Sequence, residues 1–139
     1  MSFWLLKSEP DEFGWPDLVA AGASGTEWHG IRNYQARNNL RAMALGDRAF
    51  FYHSNIGKAI VGIAELCQVA GQDSTTEDPR WVSVWIKAVA PLQPVTLDRC
   101  KQEPILHDMA LLKSPRLSVQ PVLPAHWHHI CALGRLDNG

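Results

Sequence analysis

Two runs of β-branched and aromatic residues, Arg48 to Ser54 (RAFFYHS) and Ala59 to Val69 (AIVGIAELCQV), stand on either side of Asn55-Ile56-Gly57-Lys58. A short glycine-containing loop between two such runs predicts a β-hairpin, and a hairpin this apolar needs other elements to cover it. Gly62 inside the second run marks a bulge or a point where another group comes close to the backbone. More strand lies to either side. Phe3 to Leu6 is a short apolar run stopped by Lys7-Ser8-Glu9-Pro10, which reads as a buried strand entering a turn. Trp81 to Val89 alternates Trp81, Ser83, Trp85 and Lys87 against Val82, Val84, Ile86 and Ala88, as a strand with one aliphatic and one mixed face does.

Helical signals separate these strands. Asp11 to Ala21 reads as one or two helical turns, with Asp11 as N-cap, Pro16 as a first helical position and Gly22 as the end. Asn33 to Ala44 is amphipathic, and Leu45-Gly46-Asp47 closes it. Thr96 caps a helix that includes Val95 to Cys100, Leu106 to Leu112 is a second short helix, and Pro115 to Pro121 is extended between its prolines. Pro124 to Leu133 carries Trp127, Ile130 and Cys131 at i, i+3, i+4 and reads as a closing helix. Ala70 to Pro79 is a polar loop. Strands and helices follow one another without a regular βαβ beat, which predicts an α+β domain: a small curved sheet or barrel flanked by helices. At 139 residues the chain fits one domain, 1–139.

Fourteen residues from Trp28 to Arg41, WHGIRNYQARNNLR, hold two aromatics, three arginines and four amides, with no acid. On a helix from about Asn33, Ala36, Leu40 and Met43 form one stripe, while Asn33, Arg37 and Arg41 form another. The first stripe can pack. The second offers amide donors and acceptors and guanidinium forks beside aromatic faces, a set suited to a nucleobase and its phosphate; a solvated helix face is the alternative. The formal net charge of −1 argues against a protein that coats long phosphate backbones, so any nucleic-acid contact should be local.

Every long apolar run is broken by charge, proline or glycine, and MSFWLLKSEP is too short a run for a signal peptide, so no membrane association is expected and the location is cytoplasmic or, in a eukaryote, nuclear. Cys67, Cys100 and Cys131 are three and widely spaced, as buried thiols in a reducing compartment are. His126, His128 and His129 read as exposed helix-end histidines; only 126 and 129 share a helical face, and neither a metal nor a cofactor is expected. No dinucleotide or P-loop glycine fingerprint is present.

The segments WLLKSEP, WHGIRNYQARNNLR, GDRAFFYHSN, IVGIAE and RLSVQPV resemble, in order and nearly end to end, the EVE domain family of the PUA-like superfamily, related to YTH domains. The resemblance implies a PUA-like pseudobarrel with surrounding helices and a function as a reader of modified bases, notably modified cytosines, in DNA or RNA. It also implies that four separate segments meet at one pocket. These are Lys7, Ser8 and Glu9 at the end of the first strand; Trp28, Gly30, Ile31, Arg32 and Asn33 in the following loop; Tyr52, His53, Ser54 and Asn55 at a strand end; and Leu117, Ser118 and Gln120. By similarity to YTH pockets, Trp28 is the expected stacking wall, with Trp81 and Trp85 less clearly placed.

Physically, Trp28 and Tyr52 would supply flat walls, and Ser8, Asn33, Ser54 and Gln120 could read a base edge. Arg32, Arg37 and Arg41 would hold phosphates. A rival reading is an enzyme acting on a modified nucleotide or nucleobase, with Glu9 or His53 as the acid–base group. His53 and Ser54 cannot easily form a nucleophile pair, because adjacent strand residues point to opposite faces.

Overall fold

A computed structural model of the chain describes residues 1–135. Six strands form one sheet: β1 (Phe3–Ser8), β2 (Thr26–Trp28), β3 (Arg48–His53), β4 (Ala59–Gln72), β5 (Val82–Thr96) and β6 (Val119–Val122), in the order β2-β5-β4-β3-β1-β6. The pairing of β1 with β3 is parallel, and the other ladders are antiparallel. Five helices surround it: α1 (Trp15–Ala20), α2 (Tyr34–Ala42), α3 (Leu97–Gln102), α4 (Ala110–Lys113) and α5 (Pro124–Leu133). The expected hairpin is β3 and β4, and the overall class is the α+β arrangement of a curved sheet flanked by helices.

The sheet is covered on both faces, which explains why its central strands read as unbroken apolar runs rather than alternating ones. On one face Leu6, Phe51, Val84 and Ile86 pack with Leu18 of α1 and Ala36 and Leu40 of α2. On the other Leu5, Phe50, Ile60 and Ile63 pack with Trp127, Ile130 and Cys131 of α5. Trp127 stacks on Phe50 at 3.9 Å between ring centroids and on Phe3 at 4.4 Å, so the i, i+3, i+4 stripe read in α5 is the seam that closes this second core.

On the first face α2 contacts β4, β5 and β6, and Asn39 Nδ2 donates to the Val119 carbonyl of β6 at 2.7 Å. β5 and β6 are four strand spacings apart, about 19 Å on a flat sheet. A nine-residue helix is about 13 Å long and about 10–12 Å wide. The sheet therefore curls around α2 and brings its two edges toward each other.

Local signals set most element ends. Asn33 is the N-cap of α2, its Oδ1 accepting from the Ala36 N–H at 2.9 Å, and Thr96 Oγ1 accepts from the Arg99 N–H at 3.1 Å to cap α3. Three readings are corrected. Asp11 caps nothing: the N-cap of α1 is Gly14, whose N–H donates to Asp17 Oδ2 at 2.7 Å, while the preceding residues form a turn closed by the Phe13 N–H on the Glu9 carbonyl. β5 runs on through Pro91 and Pro94 to Thr96. It does so because β2 pairs only with Val84 to Ile86, leaving the rest of that edge, among the described residues, without a strand ladder for the prolines to interrupt. β4 reaches Gln72, so the polar loop begins at Asp73. No described helix is long and apolar enough to cross a membrane.

α1 is tied to the sheet through His53, whose Nε2 accepts the Trp15 N–H at 3.0 Å. Trp15 in turn lies over Gly62, where a Cβ would sit 2.6 Å from the indole ring. Gly62 is thus a close-approach glycine, and register shifts flank it where β4 meets β5. Gly62→Ala should lower stability by about 1–3 kcal/mol through overpacking. In urea denaturation the loss should be smaller in a Trp15→Leu background, whereas additive losses would place the clash elsewhere.

Burial lowers the pKa of His53, and an imidazole that accepts a backbone N–H must be neutral at that nitrogen. The contribution is fully present above the unfolded value of about 6.5 and is lost as pH falls through it toward the lowered folded value. Stability measured from pH 7 to pH 5 should fall less steeply in His53→Gln than in the wild type. An identical slope would mean that His53 is not the titrating group.

Candidate functional site

The parallel pairing of β1 with β3 ends both strands on the same side of the sheet, with Ser8 opposite His53. The ladder continues one step further, the Ser54 N–H donating to the Ser8 carbonyl at 2.9 Å. On the other side of β1 the Lys7 N–H donates to the Ser118 carbonyl at 3.0 Å. Three distant segments therefore lie side by side. The curl of the sheet brings β2 from the opposite edge, so that Trp28 meets Phe51 edge-on at 5.7 Å. Between these parts lies a cleft of about 510 Å³, within the range of small-molecule sites, about 300–1,000 Å³.

Of the sequence-derived candidates, Lys7, Ser8, Glu9, Trp28 and Ile31 line the cleft, together with Ser54 and Ser118. Each of the four expected segments sends at least one residue to it. The lining also includes Glu12, Phe13, Thr26, Glu27, His29 and Pro115. Glu12 and Phe13 fall in a segment that reads as helical turns and Pro115 reads only as punctuation, so no local pattern marks these three, whereas His29 lies within the Trp28–Asn33 loop.

Trp28 forms a floor more than an open platform. It is 8% exposed, with Phe13 at 6.1 Å and Phe51 both packed edge-on against it. Phe13, Ile31 and Pro115 complete the apolar walls. The polar groups are of both signs. Lys7 Nζ donates to the Pro115 carbonyl at 2.6 Å, and burial lowers its pKa. Ser8 Oγ donates to the Phe13 carbonyl at 2.6 Å, which leaves that oxygen as an acceptor toward other groups. Burial alone would raise the Glu27 carboxyl, but donation from Ser74 and Ser83 outweighs it and holds the group below the usual carboxylate range.

The other candidates serve the scaffold. Tyr52 is 4% exposed in the second core, on the opposite face from Phe51, and burial pushes its hydroxyl up to about 12. It is not a wall of the cleft. His53 holds α1 as described. Asn55 takes φ +70° in the exposed hairpin turn, and Asn33 spends its Oδ1 on the α2 cap. Leu117 is buried in the first core. Gln120 is fully buried, its Nε2 donating to the Ser114 and Leu117 carbonyls at 2.9 Å, so it braces the loop that forms one wall.

Arg32 and Arg37 already have partners within the protein. Arg32 Nη1 donates to Asp73 Oδ2 at 3.1 Å, and the Gly30 N–H donates to the same oxygen at 2.8 Å. Burial would raise the Asp73 carboxyl, but donation from Thr75, Gly30 and Arg32 overrides it and holds the group far below its ordinary range. Arg32 thus anchors the Trp28–Asn33 loop to the β4–β5 connection. Arg37 lies over the Tyr34 ring at 5.0 Å and donates to the Arg80 carbonyl, away from the cleft. Trp81 packs against Tyr34 with the rings tilted and 5.2 Å between centroids, also outside it. His126 is buried rather than exposed and pairs with Asp108 at 3.0 Å, and His129 pairs with Glu103 at 2.7 Å. Among the described residues no group of three or more His, Cys, Asp or Glu side chains could hold a metal.

Residues 2–133 match the EVE domain family model. Thymocyte nuclear protein 1 of Gallus gallus is 35% identical, over 94% of this chain and 67% of its own length. A crystal structure from Agrobacterium tumefaciens superimposes with TM-score 0.98 at 48% identity, covering 100% of this chain and 97% of that one. The human THYN1 protein, solved in complex with DNA containing 5-methylcytosine, superimposes with TM-score 0.88 at 34% identity over 99% of each chain. The chain belongs to the EVE domain family, and its curled α+β sheet is the PUA-like fold.

Proposed function

We propose that residues 1–139 act as one EVE domain that reads a modified cytosine in DNA without catalysis. The observation that carries the reading is the human THYN1 complex with 5-methylcytosine-containing DNA, on a chain that matches this one over nearly its full length. The cleft supports it chemically. A cytosine presents an amino donor at N4, with acceptors at N3 and O2. The Glu9 and Glu12 carboxylates at the rim suit the donor, and the Lys7 ammonium suits the acceptors. Phe13, Ile31 and the exposed edge of Trp28 provide the apolar surface that a 5-methyl group would meet.

The base must leave its stack to enter, at a cost of a few kcal/mol, and aromatic contact returns about 1–3 kcal/mol per base. A protein of net charge −1 gains little from non-specific phosphate attraction, so the selectivity of the cleft has to carry the binding. The catalytic reading through His53 is disfavoured by the Trp15 N–H that occupies its Nε2.

At one fixed salt concentration, DNA with a single 5-methylcytosine should bind roughly tenfold or more tightly than unmodified DNA, the discrimination a pocket obtains from one methyl group. Equal affinities would contradict the reading. Glu9→Gln should weaken the modified complex by about 1.5–3 kcal/mol if the carboxylate meets the N4 amino group; unchanged affinity would remove Glu9 from the edge. Trp28→Ala should cost the fold itself about 3–5 kcal/mol, visible in urea denaturation, because the ring is a core side chain as well as a floor.

A further inference from the structure

The cleft does not end at Pro115. The same residue lines a second cavity of about 420 Å³, together with Asn33, Gln35, Ser114, Arg116 and Leu117. The two compartments share one wall, and that wall is fixed from both sides. Lys7 Nζ holds the Pro115 carbonyl at 2.6 Å, and Gln120 Nε2 holds the carbonyls of Ser114 and Leu117.

The chemistry of the second compartment differs from that of the first. No aromatic ring lines it, so it offers a base nothing to stack on. Asn33 has its Oδ1 engaged in the helix cap, leaving the amide nitrogen as a donor. Gln35 and Arg116 are exposed, and among the described residues Arg116 forms no ion pair. A guanidinium and amide donors around a groove without aromatic walls match a phosphodiester and its sugar.

We propose that this groove is the path of the strand that flanks the recognised base: the chain passes over Pro115, and Arg116 neutralises the adjacent phosphate while Gln35 and Asn33 donate to it. The inference rests on the base-reading proposal and adds where the backbone goes. The Tyr34–Trp81 face, where Arg37 lies, is a poorer path because two of its three arginines are already paired with acids. Arg32 meets Asp73 and Arg80 meets Asp78, while Arg37 donates to a backbone carbonyl.

The test compares wild type, Arg116→Ala and Arg99→Ala, in which the lost arginine lies on α3 and pairs with Glu103. Each is titrated from 50 to 200 mM salt with otherwise identical DNA, with and without one 5-methylcytosine. In Arg116→Ala both DNAs should bind more weakly by the same factor. The log–log salt dependence should become shallower by about 0.7–0.9, the loss of one phosphate contact. Arg99→Ala should match the wild type. An unchanged salt slope in Arg116→Ala, with the methyl preference intact, overturns the groove and leaves the base reading standing. Loss of the methyl preference in that variant also overturns it, because Arg116 would then act on the base. Absence of any methyl preference in the wild type removes the base reading and this inference together.

Discussion

The parallel pairing of β1 with β3 is the constraint on which the site depends. Parallel neighbours cannot be joined by a tight turn, so the chain must make a long crossover before the second strand is laid down. That crossover is not idle: it contains α1, β2 and α2. One excursion therefore delivers the apolar stripe of Ala36, Leu40 and Met43 to the first core and Trp28 to the floor of the cleft. It also sets the ends of β1 and β3 level, so that Ser8 and Ser54 become neighbours. Curling of the sheet around α2 then closes the cleft by bringing in its other edge.

Buried polar groups hold the loops that line this cleft. Asp73 gathers the Gly30 N–H, Arg32 and Thr75 around one carboxylate and so fixes the approach of the Trp28–Asn33 loop. Gln120 and Lys7 do the same for the loop on the opposite wall. A site built in this way is organised before any ligand arrives, which reduces the ordering cost of binding. The near-neutral charge fits the proposed function, in which a shaped pocket rather than phosphate attraction supplies the discrimination.

Much of this was legible in the sequence wherever the signal was local. The β3–β4 hairpin, the capped helix α2 with its buried stripe, and the closing helix α5 follow from turn chemistry and periodicity acting over a few residues. What failed was non-local. Arg32 had no acid within its own segment, yet its partner, Asp73, lies 41 residues on. Within β3 the run Ala49 to Tyr52 is buried on both faces, so nothing in it distinguishes Phe51, beneath the cleft, from Tyr52, in the opposite core. Gln120 and His53 have residue types suited to a binding site, and both are spent on backbone groups of the scaffold. The grouping of the four segments came from family resemblance, because the strand order that produces it has no signature in periodicity.

Under the proposed function the cleft bounded by β1, β2 and the Ser114–Ser118 loop receives the modified base. The most direct measurement is nuclear magnetic resonance of isotope-labelled protein titrated with a DNA duplex carrying one 5-methylcytosine, followed at the Trp28 indole N–H and the amides of Ser8, Ser54 and Ser118. These signals should shift with the methylated duplex at concentrations at which the unmodified one moves them far less. Shifts confined to the Tyr34–Trp81 face, or identical responses to both duplexes, would contradict the proposed function.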